Sequence, residues 1–178
     1  RILQSDPSGA TLIFTRTRKG CAEVADGLVR HGVTADALHG ELSQPARERV
    51  LGRLRAKKLS VLVATDVAAR GLDVSHLSRV INYDYPSGPE TYVHRIGRTA
   101  RKGLKGKAIM FVTPDQADLL SNIEKLTNVE IVERRYEDFK PGPEPRRIVE
   151  QREKAETARE TARKQKGRVV DSVPDVTQ

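Results

Sequence analysis

The sequence contains one cysteine, no tryptophan and only seven other aromatic residues among its 178 residues. A single cysteine excludes an internal disulfide, and Cys21 has no second cysteine or set of histidines near it that would predict a metal site. We therefore expect the Cys21 thiol to pack inside the protein, and the chain to work in a reducing, cytoplasmic compartment.

Several functional segments are also absent. No apolar run approaches the roughly 20 residues of a membrane-spanning helix, and the first residues lack the apolar core of a signal peptide. The sequence has no glycine-rich phosphate loop, no acidic metal-binding strand and no cysteine and histidine spacing typical of metal sites. We expect no membrane association, no metal ligands in this chain and no nucleotide hydrolysis by this chain alone.

The charge has a basic surplus, with 32 lysine and arginine residues against 24 aspartate and glutamate residues and a net charge of +8. Up to Pro145 there are 23 basic and 18 acidic residues, and beyond it 9 and 6. This balance favours polyanionic partners such as nucleic acid, nucleotide phosphates or anionic membrane surfaces. The mean hydropathy of −0.54 indicates that part of the chain does not join a packed core.

Short apolar runs bounded by glycine or polar residues alternate with segments whose apolar residues recur at helical spacing. This βαβ series predicts an α/β fold with a mainly parallel sheet, helices on both faces, and functional residues in the loops after the strands. The predicted strands are Ala10–Thr15, Ala35–Leu38, Ser60–Ala64, Arg79–Tyr83 and Lys107–Val112. The predicted helices are Lys19–Arg30, Ser43–Arg55 and Asp115–Leu126, the last opened by a capping box from Thr113 to Gln116.

The composition changes after Phe139. Residues 1–135 contain the predicted α/β domain, residues 136–145 are rich in proline and glycine and predict a linker, and residues 146–178 form a basic tail. Arg146 to Arg168 carries nine bases and four acids with almost no large apolar residue. Because a helix with so little to bury is marginal in isolation, we expect the tail to be partly helical or disordered.

The most basic motif is T-Y-V-H-R-I-G-R-T-A-R at Thr91 to Arg101, and six bases fall between Arg95 and Lys107 with no acid. Its polar residues recur at helical offsets, which places them on one side of a helix. A solvated basic face would explain such a run. Gly97 argues against that interpretation, because glycine inside a helix costs roughly 1 kcal/mol relative to alanine. An acid-free cluster of arginines suits a phosphate.

A second candidate loop, T-D-V-A-A-R-G-L-D, follows the third predicted strand. Thr65 offers a hydroxyl to a phosphate, Gly71 permits close approach of another molecule, and Asp73 can accept bonds from ribose hydroxyls. In the structural alternative, Asp66 and Asp73 are cap residues and Arg70 is an ion-pair partner. The residues alone leave both interpretations open.

A third candidate lies after the second predicted strand, where Ser43 predicts the N-cap of a helix. Gln44 and Arg47 then project from the first turn, where free N–H groups and the helix dipole favour anions. His39 nearby has neither the partners of a metal site nor a nucleophile to activate, so we interpret it as structural.

Taken in order, these segments resemble the second RecA-like domain of DEAD-box ATP-dependent RNA helicases, from about Ile2 to Val132. Four segments are similar to family motifs, and they occur in the family's order and at separations that fit the family. They are L-I-F-T-R-T at Leu12 to Thr17 (the fourth motif), Q-P-A-R at Gln44 to Arg47 (the Q-x-x-R motif), A-T-D-V-A-A-R-G-L-D at Ala64 to Asp73 (the fifth) and H-R-I-G-R-T-A-R at His94 to Arg101 (the sixth). Ala100 in the sixth motif occupies a position that is often glycine, and we expect no loss of function from it.

The resemblance implies a RecA-like three-layer sandwich followed by a flexible charged tail, and it implies roles for single residues. Arg98 and Arg101 would be catalytic arginine fingers on the γ-phosphate of ATP, whereas Gly71 and Asp73 would face its ribose. The residues implied in gripping RNA are Arg16, Gly40, Gln44, Arg47 and Thr65. The residues implied in coupling nucleotide state to domain closure are Asp66, His94 and Arg95, with Phe14 in a supporting position near the sixth motif.

The resemblance also implies partners. These helicases hold the sugar–phosphate backbone of RNA rather than read base edges, which agrees with the small number of aromatic residues. The cofactor would be ATP with Mg, and the metal ligands would lie on an N-terminal RecA-like domain of the same protein, which is missing here. The chain thus resembles the carboxyl half of such an enzyme, inactive in isolation.

Two other classes stay open. A DNA helicase or translocase of the same superfamily is disfavoured, because its sixth motif more often begins with glutamine where His94 stands. A non-enzymatic RNA-binding or scaffold protein would require the arginines of the sixth motif to be simple RNA contacts.

We predict that the basic tail adds nonspecific RNA affinity by releasing counterions from the phosphate backbone. A version of the protein that ends at Pro145 should bind RNA more weakly at low salt, with a shallower dependence of log Kd on log salt. Binding titrations at several salt concentrations measure both slopes. Identical slopes would show that residues 146–178 contact no phosphate.

Overall fold

The structure, a computed structural model, describes residues 2–4, 9–72, 77–100, 105–113, 116–134 and 157. The chain divides into two compact units, Arg1–Ile131 and Val132–Gln178. The predicted linker at 136–145 lies outside the described residues, as does the predicted tail apart from Thr157.

Five strands and five helices alternate within the described residues. None of the helices in this part of the chain is long and apolar enough to cross a membrane. The strands are β1 (Ala10–Thr15), β2 (Ala35–Leu38), β3 (Val61–Thr65), β4 (Leu77–Asn82) and β5 (Lys107–Met110). The helices are α1 (Arg18–Arg30), α2 (Gln44–Arg55), α3 (Asp66–Ala69), α4 (Pro89–Ile96) and α5 (Ala117–Thr127).

The five strands form one parallel sheet in the order β2-β3-β1-β4-β5. β1 is central: Thr15 lies beside Thr65 of β3, and Phe14 lies beside Asn82 of β4. Because all strands run the same way, the segments that follow β1, β2, β3 and β4 meet at one edge of the sheet. The predicted α/β fold with a parallel sheet is confirmed.

Apolar side chains cover both faces of the sheet, as the short apolar runs predict for strands buried on both sides. Phe14 of β1 belongs to a core cluster that includes Leu54 of α2. Ile13, the preceding residue, points to the other face and belongs to a second cluster with Cys21 of α1. The sheet therefore lies between α2 and α1, which confirms the predicted three layers.

Side-chain caps define where the first two helices begin. The Thr17 hydroxyl accepts a hydrogen bond of 3.0 Å from the Gly20 N–H at the start of α1. The Ser43 hydroxyl accepts one of 3.4 Å from the Ala46 N–H at the start of α2. These bonds satisfy N–H groups that lack partners inside a helix. The N-cap predicted at Ser43 is confirmed.

Other element ends differ from the predicted ones by one or two residues. β3 starts one residue later than predicted and β5 ends two residues earlier. α5 begins at Ala117, although the Gln116 side chain accepts a bond of 3.1 Å from the Thr113 N–H, as a capping box requires. Pro114 and Asp115 lie outside the described residues.

The basic helix predicted along Thr91 to Arg101 is wrong at its end. α4 stops at Ile96, and the N–H of Gly97 closes it with a bond of 2.9 Å to the Val93 carbonyl. A side chain at Gly97 would lie 3.2 Å from that carbonyl, so glycine fits this tight exit. Arg98 therefore lies in a turn after the helix rather than on its face.

The turn after α4 is anchored to the sheet. Thr99 is buried, and its hydroxyl donates a bond of 2.7 Å to the Leu77 carbonyl of β4. Ala100 follows with a φ of +55°, a region that favours glycine and costs an alanine about 1 kcal/mol. This local strain gives a physical reason for glycine at this position of the sixth motif.

Cys21 lies on the face of α1 that packs against the sheet, and it is fully buried, as predicted. Its thiol donates to the Val63 carbonyl at 3.1 Å. Burial raises the pKa of the thiol above its ordinary value, which keeps the sulfur in its neutral form. A neutral buried thiol is a poor nucleophile, so Cys21 serves the packing of α1 on the sheet.

We predict that Gly106→Ala destabilises the domain by about 1–3 kcal/mol, because the added methyl group would lie 2.6 Å from the Ala100 nitrogen and collide with Thr99. Gly52→Ala is the matched control. Gly52 lies inside α2 with open space around it, so alanine there should stabilise by about 0.5–1 kcal/mol. Urea unfolding of the 178-residue chain measures both changes. Wild-type stability in Gly106→Ala would contradict the tight packing of this turn.

Candidate functional site

Arg95, in the last turn of α4, has only 2% of its surface exposed. Its Nε and Nη2 atoms donate to the two carboxylate oxygens of Asp66 at 2.7 and 2.8 Å. This pair is bidentate, since the planar guanidinium matches the two carboxylate oxygens. Asp66 is the first residue of α3, so the pair joins α4 to the segment after β3.

The third nitrogen of the Arg95 side chain reaches the end of another strand. Nη1 donates to the Asn82 side-chain oxygen at 3.0 Å and to the Asp84 carbonyl at 2.8 Å. The guanidinium carbon also lies 5.0 Å from the centre of the Phe14 ring in β1. These contacts offset the loss of hydration of a buried charge. One side chain thus connects the carboxyl ends of β1, β3 and β4.

Asp84 continues this connection toward the loop after β1. Its carboxylate accepts a bond of 2.7 Å from the Arg16 N–H, and its own N–H donates to the Phe14 carbonyl at 3.2 Å. The backbone of Arg16 is therefore held while its side chain stays exposed. An exposed arginine on a fixed backbone is suited to meet a ligand at this edge.

An open cleft lies at the Arg95 side chain, lined by Phe14, Asp66, Ala69, Arg70, His94, Arg95 and Arg98. Arg70 and His94 are exposed, whereas Arg98 is half-buried and its Nη1 donates to the Leu72 carbonyl at 3.5 Å. Three arginines and one carboxylate line the cleft, and this surplus of basic side chains favours an anionic ligand. A phosphate group suits this set of donors. Among the described residues, no three acidic, histidine or cysteine side chains gather to hold a metal ion.

The residues predicted to grip RNA lie along the same edge of the sheet. Gln44 and Arg47 stand in the first turn of α2, Thr65 ends β3, and Arg16 follows β1. Arg47 links two of these segments, because its Nη2 donates to the Ala68 carbonyl of α3 at 2.7 Å. The sheet order places the three segments next to one another.

The other four predicted site residues are two exposed glycines and two residues outside the described ranges. Gly40 lies in an exposed turn before α2 with open space around it. Gly71 is also exposed, and its φ of +76° is a conformation that glycine adopts without strain. Asp73 and Arg101 lie outside the described residues, so their positions stay predictions.

Asn82 and Asp84 also belong to the site, although neither was predicted from the sequence. They lie at the carboxyl end of β4. The rule that functional residues follow strands would have pointed to them. The carbonyl oxygens of Ala68 and Leu72 have no sequence signal at all, because every residue carries a carbonyl.

Comparison with known proteins finds relatives of this chain. The model of the helicase conserved C-terminal domain family matches residues 1–103. The ATP-dependent RNA helicase DeaD of Buchnera aphidicola subsp. Baizongia pistaciae is 50% identical over 133 residues, which are 75% of this chain and 22% of that protein. The chain spans about a quarter of the length of the curated relatives that it matches.

Solved structures share this fold. The E. coli DEAD-box protein SrmB, in a crystal structure with regulator of ribonuclease activity A, is similar with a TM-score of 0.66 and 40% identity, over 70% of this chain and 74% of that chain. The S. cerevisiae protein Dbp5 bound to RNA and ADP BeF3 is similar with a TM-score of 0.64 and 38% identity, over 68% of this chain and 33% of that chain.

We predict that Arg95→Lys destabilises the domain by about 2–4 kcal/mol. A lysine keeps the charge, but it loses the bidentate pair with Asp66 and leaves the oxygens at Asn82 and Asp84 without their donor. Urea unfolding of the chain measures the loss.

Arg18→Lys is the control for the same chemical change at an exposed pair. Arg18 meets Glu41 at 2.6 Å, but both side chains are 61% exposed, so its loss should stay within about 1 kcal/mol. Similar losses in the two variants would contradict the central role of Arg95.

Proposed function

This chain belongs to the DEAD-box RNA helicases as their C-terminal RecA-like domain, and we propose that it supplies ATP and RNA contacts to an ATP-dependent RNA helicase. The observation that carries this proposal is the cleft that Arg70, Arg95 and Arg98 line together with His94. An N-terminal RecA-like domain of the same protein completes the ATPase site, and this chain alone does not hydrolyse ATP.

Arg98 and Arg101 are the proposed arginine fingers. Arg98 lines the cleft, and its Nη1 donates to the Leu72 carbonyl at 3.5 Å, which helps to hold the side chain there. Fingers of this kind stabilise the charge that develops as the γ-phosphate leaves, and they are worth ~10³–10⁵ in rate, or roughly 4–7 kcal/mol. Gly71 and Asp73 contact the ribose, and the open space at Gly71 supports close approach there.

The cleft residues fit ATP as the cofactor, since guanidinium and imidazole groups present N–H donors to phosphate oxygens. Magnesium supplies further positive charge to the phosphates when it is bound with ATP. We expect its ligands on the N-terminal domain. The role of this chain is then to bring fixed positive charge to the side of the nucleotide that the N-terminal domain leaves open.

The RNA backbone binds along the sheet edge, at Arg16, Gly40, Gln44, Arg47 and Thr65. The segments that hold them follow three neighbouring strands, and two strand spacings amount to roughly 10 Å. That length is sufficient for successive phosphates of one strand. The similarity to Dbp5 bound to RNA and ADP BeF3 supports RNA and nucleotide as joint ligands.

Coupling between ATP binding and RNA binding depends on Asp66, His94 and Arg95, with Phe14 in a supporting position. Arg95 ties α4 to the ends of three strands, so these segments move as one body when the two domains close. His94 is exposed at the cleft, where the N-terminal domain or the nucleotide can meet it. Closure brings Arg98 to the phosphates and bends the bound RNA strand, which separates a duplex locally.

We predict that Arg98→Ala in the two-domain protein lowers RNA-stimulated ATP turnover by about 10³-fold or more, because the transition-state charge loses its finger. RNA affinity should change little, since Arg98 lines the nucleotide cleft. Phosphate release and RNA binding titrations measure the two effects. Arg30→Ala, an exposed arginine at the end of α1, is the control for loss of one positive charge.

The same experiment separates the alternative functions. If ATP turnover survives in Arg98→Ala while RNA binding collapses, the finger role is wrong and the site is a simple RNA contact. If duplex DNA rather than RNA stimulates turnover of the wild-type protein, the DNA translocase alternative is correct.

A further inference from the structure

Arg47 makes a contact that its proposed role as an RNA ligand does not require. Its Nη2 donates to the main-chain carbonyl of Ala68 at 2.7 Å, across 21 residues of sequence. Ala68 is buried to 2% exposure, so water has little access to this oxygen. A buried carbonyl without a donor is costly, which makes the guanidinium part of the structure of α3.

α3 needs such a partner because it has only four residues. The Arg70 N–H bonds to the carbonyls of Asp66 and Val67, and the Leu72 N–H bonds to that of Ala69. No backbone N–H of the described residues bonds to the Ala68 carbonyl. Arg47 therefore acts as a cap that comes from another helix.

α3 is contacted by one arginine that lines the cleft, Arg95, and by one proposed to contact RNA, Arg47. At its first residue, Asp66 pairs with Arg95 at 2.7 and 2.8 Å. Near its last residue, the Ala68 carbonyl accepts from Arg47. α3 is therefore held between one arginine of α4 and one arginine of α2.

We infer that Arg47 is a positioning residue for ATP hydrolysis as well as an RNA contact, and this inference rests on the proposed function. A guanidinium has five N–H donors in a fixed plane, so one can hold the Ala68 carbonyl while others bind a phosphate. A phosphate bound there fixes the orientation of Arg47, which holds α3 and, through Asp66, Arg95. RNA in this way sets the geometry of the nucleotide cleft.

The test compares Arg47→Lys with Arg49→Lys in the two-domain protein. Lysine keeps a positive charge for the RNA phosphate, but its single ammonium replaces the planar fork that serves two acceptors. We expect the RNA concentration for half-maximal ATPase activity to stay within about threefold of wild type. The maximal rate at saturating RNA should fall about tenfold, the equivalent of about 1.4 kcal/mol in the barrier.

Arg49 is the matched control, because it is exposed on the same helix and has no place in the proposed site. Arg49→Lys should leave both parameters at wild-type values. A wild-type maximal rate in Arg47→Lys would overturn the inference and leave Arg47 as a phosphate ligand alone. A large rise in the half-maximal RNA concentration with an unchanged maximal rate would overturn it as well.

Hydrogen exchange on the 178-residue chain gives a second measurement that needs neither ATP nor RNA. The amides of Arg70 and Leu72 close the end of α3, and they should exchange about tenfold faster in Arg47→Lys than in wild type. Arg49→Lys should not change them. Unchanged exchange in Arg47→Lys would show that the Ala68 bond does not hold α3.

Arg98→Ala in the same ATPase assay distinguishes a failure of the proposed function from a failure of the inference about Arg47. If Arg98→Ala retains full turnover, the proposed function fails whatever the Arg47 variants do. If Arg98→Ala loses turnover while Arg47→Lys keeps the wild-type maximal rate, only the present inference fails.

Discussion

The buried guanidinium of Arg95 is the constraint on which the functional edge of this domain depends. A charge with 2% exposure stays in the folded protein only if hydrogen bonds and an opposite charge replace its water. Asp66, Asn82, Asp84 and the ring of Phe14 provide them, and these groups come from the carboxyl ends of three strands, β1, β3 and β4. The contacts of this one side chain therefore align the segments after β1, β3 and β4 with α4.

Three arginines at this edge have the same charge and different environments. Arg95 pairs with the carboxylate of Asp66, Arg47 donates to the main-chain carbonyl of Ala68, and Arg98 donates to that of Leu72. A neutral acceptor orients a guanidinium and leaves its positive charge to act on a ligand. The buried pair with Asp66 therefore serves the packing of this edge, whereas the Ala68 carbonyl orients Arg47 without neutralising its charge.

Local signals in the sequence predicted most of the fold. The bounds of β1 and β2 match the predicted ones, and Ser43 caps α2, because apolar runs and hydroxyl caps act within a few residues. The prediction failed at the end of α4, where helical offsets favoured a longer helix. There the helix ends at Gly97, and the chain turns so that the Thr99 hydroxyl can bond to the Leu77 carbonyl. Because this bond joins residues 22 apart, it gives no local signal in the sequence.

The order of the strands and of the longer helices, the sign of the charge and the polar residues that follow the strands could be predicted from the sequence, since these are properties of neighbouring residues. What each arginine contacts depends on the tertiary structure. Because β1 lies between β3 and β4, Phe14, Asp66 and Asn82 all come within reach of Arg95. No single segment of the sequence specifies that strand order. The carbonyl partners of Arg47 and Arg98 were likewise decided by the fold, because main-chain oxygens are chemically alike along the chain and only their positions in space distinguish them.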